Sequence, residues 1–264
     1  MADAATPTPD TPRASGGDAH WVDILIVVVL GLVGGVLLTF AVGGIVLGVA
    51  MAMGYKLANF QLLVAGMKLD FMANHVALVC SDLGFLVVLW IVATRRSGPP
   101  LADYFPPIGL STFGLATLSG VVLSIAINGG NELLSRASLV RFQDSDVERA
   151  IQPHSAPQFL VAFAVIALFA PFAEEFFFRG LLFRWLRQSG GVWVAVGVSA
   201  AVFGAVHGQM FLHPGVQGWL FTAELIAAGV ILALWALRAG SLRASFATHA
   251  SYNAVAILFS ALFP

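Results

Sequence analysis

The sequence predicts an all-α fold, a polytopic bundle of about seven transmembrane helices. Hydrophobic residues fill 59% of the 264 positions and charged residues only 10%, whereas soluble globular proteins carry about 25% charged residues. Several apolar runs exceed the ~18 residues that indicate a helix able to cross a bilayer. The formal net charge is −1 and basic residues form no block. We therefore expect a lipid bilayer around the chain and no nucleic-acid partner.

The chain divides into a short polar tail and a long apolar domain. Residues 1–20 are rich in Ala, Thr, Pro, Asp and Gly and cannot bury enough apolar surface to fold, which predicts a disordered tail. Residues 21–264 are predicted to form the membrane domain, interrupted at residues 135–156 by a polar extramembrane loop with a short surface helix. The predicted spans are Ile24–Met53, Met72–Ala93, Phe113–Leu134, Phe159–Leu186, Val192–Gly208, Trp219–Leu237 and Leu242–Phe263.

The lysine and arginine residues of the loops predict the orientation, because cytoplasmic loops carry an excess of both. The amino-terminal side of the seven spans holds Arg13, Arg95, Arg96, Arg184, Arg187, Arg238 and Arg243. The opposite side holds Lys56, Lys68, Arg136, Arg141 and Arg149. This bias favours a cytoplasmic amino terminus, and the Ala- and Gly-rich composition indicates a multi-pass protein of a bacterial inner (plasma) membrane.

A Glu-Glu-x-x-x-Arg sequence, Glu174-Glu175-x-x-x-Arg179, lies inside the fourth predicted span. Each ionisable side chain costs at least ~2.5 kcal/mol at the centre of a membrane, so such residues usually serve a function. Glu175 and Arg179 are four residues apart, share a helix face and can form an ion pair. Glu174 is rotated by ~100° and faces elsewhere. Two interpretations follow from these residues alone: a salt-bridge clamp between helices, or a carboxylate that takes part in a reaction.

Polar residues on two later spans could join Glu174. His207 follows Phe203 by one helical turn, and His249 and Asn253 share a helix face at the same spacing. From the basic ends of their helices, Glu174, both histidines and Asn253 all lie ~12–22 Å deep, so they could line one cavity. A glutamate beside a neutral histidine can activate water, and a histidine with an asparagine can donate hydrogen bonds to an oxyanion. Together these residue types predict a hydrolase.

The second predicted span carries two further ionisable residues, His75 and Asp82. They are seven positions apart and therefore share a helix face. Either they touch the active cavity, or they form hydrogen bonds between helices or lie near the membrane interface.

The order of the motifs resembles that of the CPBP family, which comprises the type II CAAX prenyl endopeptidases and the bacterial Abi or bacteriocin-processing proteins. The resemblance covers about residues 157–262, the predicted protease-like core, whereas the preceding part shares only the family's general polytopic character. The matching residues, on successive membrane helices, are Glu174-Glu175-x-x-x-Arg179, Phe203-x-x-x-His207 and His249-x-x-x-Asn253.

The resemblance implies a role for each of these residues. Glu174 and His207 would activate the attacking water, and His249 and Asn253 would stabilise the oxyanion. The Glu-Arg pair of the fourth span would support the site.

The resemblance leaves the metal question open. The family is usually classed as metalloprotease, yet a metal-free mechanism that depends on glutamate has also been argued for it. Glu174, His207 and His249 could ligate zinc, but they lack the compact spacing of standard zinc sites. The chain has no H-E-x-x-H sequence, and its single cysteine, Cys80, excludes a site built from several thiolates.

The implied activity is an endopeptidase acting on a membrane-associated peptide or protein. Bacteria generally lack prenylated CAAX proteins, so candidate substrates include leader peptides, propeptides and carboxy-terminal sorting tails besides CAAX-type sequences. A non-catalytic membrane immunity or scaffold protein is one alternative, although an intact set of four catalytic residue types argues against it. A proton-coupled transporter is another, but transporters usually pair two inverted halves, whereas the polar residues here cluster in one half.

Overall fold

The computed structural model describes residues 20–54, 70–95, 100–213 and 215–262. Residues 1–19 of the predicted tail lie outside these ranges. Every regular element in the described ranges is helical, which confirms the all-α fold. The α-helices are α1 (Trp21–Ala52), α2 (Asp70–Arg95), α3 (Leu110–Arg136), α4 (Asp146–Ile151), α5 (Ala156–Ala162), α6 (Ala170–Glu175), α7 (Phe183–Val206), α8 (Gln209–Leu212), α9 (Val216–Ala239) and α10 (Leu242–Leu262). A 3₁₀ turn at Leu101–Tyr104 and π-helical segments at Phe163–Phe169 and Phe176–Leu182 complete the described elements.

Five helical stretches in the described ranges are long and apolar enough to cross a membrane, so the protein is an integral, multi-pass membrane protein. They are Trp21–Val49, Phe71–Thr94, Leu110–Arg136, Ala156–Leu212 and Val216–Ala239. The remaining predicted span corresponds to α10, a 21-residue helix that is less apolar and falls outside this group. The number of crossings stays a prediction.

The longest stretch, Ala156–Leu212, folds back on itself. Its 57 residues would extend roughly 85 Å as one straight helix, nearly three times the ~30 Å hydrocarbon core of a bilayer. Gly191 interrupts it with φ 81° and ψ 179°, a conformation that a side chain would obstruct. The Phe178 and Phe203 rings, from opposite sides of this break, meet at 5.1 Å between centroids. The stretch therefore supplies the fourth and fifth predicted spans.

The polar loop contains the short surface helix that the sequence predicts. Helix α4 begins at a capping box, in which the Ser145 hydroxyl accepts from the Glu148 N–H and the Glu148 carboxylate accepts from the Ser145 N–H. Two N–H groups that would otherwise lack partners are satisfied in this way.

Helices α3 and α10 pack closely, and this contact sets the rotation of α10. The hydroxyls of Thr248 and Ser251 each donate a hydrogen bond of 2.9 Å to a backbone carbonyl of α3. Such short side chains reach a neighbouring backbone only where the helices nearly touch, and Gly120 of α3 allows this approach. His249 directly follows Thr248, so the same contact fixes the direction in which this histidine points.

We predict that Gly120→Ala destabilises the protein by about 1–3 kcal/mol, the usual cost of overpacking. The added methyl group would overlap the carbonyl oxygen of Thr248 and the hydroxyl of Ser251, and the carbonyl belongs to a backbone that cannot move aside cheaply. Gly114→Ala on the same helix is the control, because a methyl group there meets nothing within 4 Å. Thermal unfolding in detergent checks this, and equal midpoints for the two variants would contradict the close packing.

Candidate active site

The two adjacent glutamates lie in α6, between the two π-helical segments. Phe163–Phe169 is π-helical, and at its end the Ala170 N–H donates to the carbonyl of Val165, five residues back. In the same register the donor for the next carbonyl, that of Ile166, would be Pro171, which has no N–H. The side-chain amide of Asn253 donates to this carbonyl instead, at 2.8 Å. Pro171, which causes this missing backbone hydrogen bond, lies three residues before Glu174, and a side chain of α10 supplies the replacement donor.

Glu175 is fully buried and forms the centre of a charged network. Its Oε1 accepts a hydrogen bond of 2.9 Å from Arg179 Nη1 and another of 2.9 Å from His249 Nδ1. Arg179 Nη2 donates to the carbonyl of Gly229 at 3.0 Å. The ion pair that the four-residue spacing predicts is therefore present, and it joins the fourth span to α9 and α10.

Phe203 organises the side chains around this network. Its ring, 1% exposed, lies 4.8 Å from the Arg179 guanidinium carbon, a cation–π contact, and 5.5 Å from the His249 ring centroid. Its carbonyl accepts a hydrogen bond of 2.7 Å from His207 Nδ1. The spacing Phe203-x-x-x-His207 thus gives one residue whose ring supports the arginine and whose backbone orients the histidine.

Glu174 faces the two histidines. Its Oε2 lies 3.8 Å from His207 Nε2 and 3.8 Å from His249 Nε2, and this oxygen is buried without a hydrogen-bond partner among the described groups. Both separations exceed the length of a direct hydrogen bond, so neither histidine is hydrogen-bonded to Glu174.

In each histidine the hydrogen bond at Nδ1 determines whether Nε2 donates or accepts. A carbonyl oxygen only accepts hydrogen bonds, so His207 Nδ1 carries the proton that it shares with Phe203. The carboxylate of Glu175, already paired with Arg179, likewise accepts from His249 Nδ1. In the neutral form of either histidine, Nε2 therefore presents a lone pair towards Glu174.

Glu174 and His207 border a cavity of about 420 Å³, within the range of small ligand sites. The opposite wall comes from α1 and α2 and includes Val28 and Asp82. Asp82 Oδ2 is buried and also lacks a hydrogen-bond partner among the described groups. Of the two ionisable residues on the second span, Asp82 therefore touches the cavity. His75 instead hydrogen-bonds through Nδ1 to the Phe71 carbonyl of its own helix, at 2.8 Å.

Asn253 occupies a different position from the other three expected catalytic residues. It borders a second cavity, of about 290 Å³, together with Ile166 and the loop residues Asp144 and Glu148. One N–H of its amide is committed to Ile166, and the other remains for a further acceptor. The structure brings Glu174, His207 and His249 together and places Asn253 on the neighbouring cavity.

The donor types of the three clustered residues are ones that zinc accepts, a carboxylate oxygen and two neutral imidazole nitrogens. Each histidine also binds an acceptor through its other nitrogen, as zinc-ligating histidines do. In the described part of the chain, however, no group of three or more His, Cys, Asp or Glu side chains is arranged to hold a metal ion. The observed arrangement therefore does not fit a three-ligand zinc site.

Comparison with known proteins finds a family match in the carboxy-terminal part. Residues 156–255 match the model of the Rce1-like type II CAAX prenyl endopeptidases. We call this part of the chain the Rce1-like domain. The match confirms the resemblance that the motifs indicate, and it supports a CAAX-type intramembrane endopeptidase family and a hydrolytic activity.

The Rce1-like domain contains all four predicted catalytic residues, whereas Asp82 on the opposite cavity wall lies outside it. An uncharacterized 24.3 kDa protein of Escherichia coli is 25% identical over 180 residues, covering 67% of this chain and 76% of that protein. No solved structure matches the chain.

We predict that Glu175→Gln lowers the free energy of unfolding by about 3–5 kcal/mol, because it leaves the buried Arg179 charge without its counter-ion. The matched control is Glu132→Gln, which removes the carboxylate of another Glu-Arg pair at the same four-residue spacing. That pair, Glu132–Arg136, is largely exposed and should contribute no more than about 1 kcal/mol. Denaturation in mixed micelles measures both, and comparable losses would show that the buried pair is not the stabilising centre.

Proposed function

We propose that this protein is an intramembrane endopeptidase that hydrolyses a peptide bond in a membrane-associated peptide or protein, with Glu174 as the general base. The observation that carries the proposal is the position of Glu174 Oε2, 3.8 Å from both histidine Nε2 atoms and beside a cavity of about 420 Å³. The Rce1-like domain supports the reaction class.

In the proposed first step Glu174 and His207 hold the attacking water. One O–H of the water donates to Glu174 Oε2 and the other to His207 Nε2, whose lone pair faces Glu174. The oxygen lone pairs then point away from both groups, towards a substrate carbonyl in the cavity. Transfer of the proton to Glu174 leaves a hydroxide equivalent that forms the new C–O bond.

His249 would stabilise the resulting oxyanion. To donate through Nε2 its ring must carry both protons, and the Glu175 carboxylate at Nδ1 stabilises this imidazolium. The family resemblance implies the same role for Asn253, but its amide borders the neighbouring cavity, so we assign the oxyanion contact to His249 alone. The C–N bond then breaks, and Glu174 returns the proton from the water to the leaving nitrogen.

The cavity walls suggest the substrate class. They are mostly apolar and include Phe85, Phe177 and Val206, so they suit a peptide segment with apolar side chains that enters from the bilayer. Asp82 provides an acceptor opposite Glu174 for a backbone N–H of such a segment.

We further propose a bacterial inner membrane as the location, with a cytoplasmic amino terminus.

We predict that Glu174→Gln folds normally and lowers peptide hydrolysis by about 10²–10⁴-fold, because glutamine keeps the shape of the side chain but accepts no proton. Cleavage of membrane-tethered candidate peptides by the purified protein in nanodiscs measures the activity, and thermal unfolding measures the fold. Glu224→Gln serves as the control, since this carboxylate of α9 also lies in a predicted span but accepts a hydrogen bond from Asn131 instead. Undiminished cleavage by Glu174→Gln would refute the role, and absence of cleavage by wild-type protein across the peptide panel would favour a binding protein.

We predict that zinc chelators leave the cleavage rate unchanged, because in this proposal Glu174 activates the water directly. The assay compares activity before and after treatment with 1,10-phenanthroline, with its non-chelating 1,7 isomer as the control. Inactivation by the chelator alone, reversed by added zinc, would replace the direct mechanism with a metal site on Glu174, His207 and His249.

A further inference from the structure

A third cavity lies at the carboxyl end of the fourth span. It has a volume of about 180 Å³ and is bordered by Tyr104 of the 3₁₀ turn, by Ser241 and by arginines of the fourth span and of the segment after it. At ~30 Å³ per water molecule, this volume equals roughly six waters, which is enough room for a phosphate group.

The charge that lines this cavity is predominantly positive. Arg179, Arg184 and Arg187 all border it, and among the described lining residues Asp103 is the one acid. Arg179 is balanced by Glu175, but the described partner of Arg184 is a neutral phenol, the Tyr104 hydroxyl at 2.7 Å. Two arginines therefore face one carboxylate.

Tyr104 does not supply the missing negative charge. Burial raises the pKa of this phenol and outweighs the opposing effect of Arg184, so the hydroxyl stays protonated at neutral pH. It donates to the carbonyl of Ala93 at 3.3 Å and can therefore accept from Arg184 at the same time.

The cavity also lies near the predicted membrane surface, where lipid head groups are located. The fourth and sixth spans end around it, at Arg187 and Arg238, on the side of the bundle predicted to be cytoplasmic. Anionic lipids give the cytoplasmic leaflet its negative surface potential, and basic pockets between transmembrane helices bind their head groups.

We propose that this cavity, formed around Tyr104, Arg184, Arg187 and Ser241, binds a phosphate-type oxyanion, either the phosphodiester of an anionic phospholipid or free phosphate. The planar guanidinium groups of Arg184 and Arg187 bind two phosphate oxygens each. This site is separate from the proposed protease site and does not depend on that activity.

The test measures thermal unfolding of the purified full-length protein, which needs no substrate. Nanodiscs of phosphatidylcholine alone are compared with nanodiscs of an equimolar mixture with phosphatidylglycerol. A further arm adds inorganic phosphate to phosphatidylcholine nanodiscs, with chloride at the same ionic strength as its control. A bound anion raises the unfolding midpoint because it binds the folded state.

Arg184→Gln and Arg187→Gln are the test variants, and Arg238→Gln is the matched control. Each removes one charge from the same side of the bundle, but Arg238 does not border the cavity. Arg187 makes no described side-chain contact, so Arg187→Gln remains informative even if loss of the Tyr104 contact impairs folding of Arg184→Gln.

We expect an anion-dependent rise of the midpoint in wild-type protein and in Arg238→Gln, and at most half of that rise in the two test variants. A rise with phosphatidylglycerol alone identifies the lipid head group as the ligand, and a rise with inorganic phosphate identifies a free oxyanion. No rise in wild-type protein overturns the proposal. An equal rise in all four proteins also overturns it, because it would reflect the general surface charge.

Discussion

The buried ion pair between Glu175 and Arg179 is the constraint on which the rest of the site depends. Two charges taken out of water lose several kcal/mol of solvation each, and their attraction compensates for this only when further polar groups complete the arrangement. Here the Gly229 carbonyl, the His249 ring and the face of Phe203 do so. The cost of burying the pair therefore fixes how α9, α10 and the helix after Gly191 approach the fourth span.

The same pair separates the roles of the two adjacent glutamates. Because Glu175 is committed to Arg179 and His249, the ~100° step of the helix directs Glu174 to the cavity with an unpartnered oxygen. A carboxylate that is structurally satisfied makes a poor base, whereas an unpartnered one beside a cavity is free to accept a proton. The structure thus shows the clamp on Glu175 and leaves Glu174 available for the proposed reaction.

The parts of this structure that the sequence predicts are those governed by local geometry. The Glu175–Arg179 pair follows from a four-residue spacing, and the break at Gly191 falls between the predicted fourth and fifth spans. The contacts of His249 with Glu175 and of Asn253 with Ile166 join residues 74 and 87 positions apart. These contacts depend on how α10 is rotated about its axis. Hydroxyl contacts with α3 set this rotation, and hydrophobic periodicity does not reveal it.

Asn253 illustrates what a motif can leave unexplained. Its place in the family pattern implies an oxyanion donor, but the amide also completes the backbone that Pro171 leaves without a donor. A proline in a membrane helix is tolerated only where a neighbouring group satisfies the freed carbonyl. One side chain on α10 therefore links the backbone before Glu174 to the helix face that carries His249, so the positions of these two residues cannot vary independently.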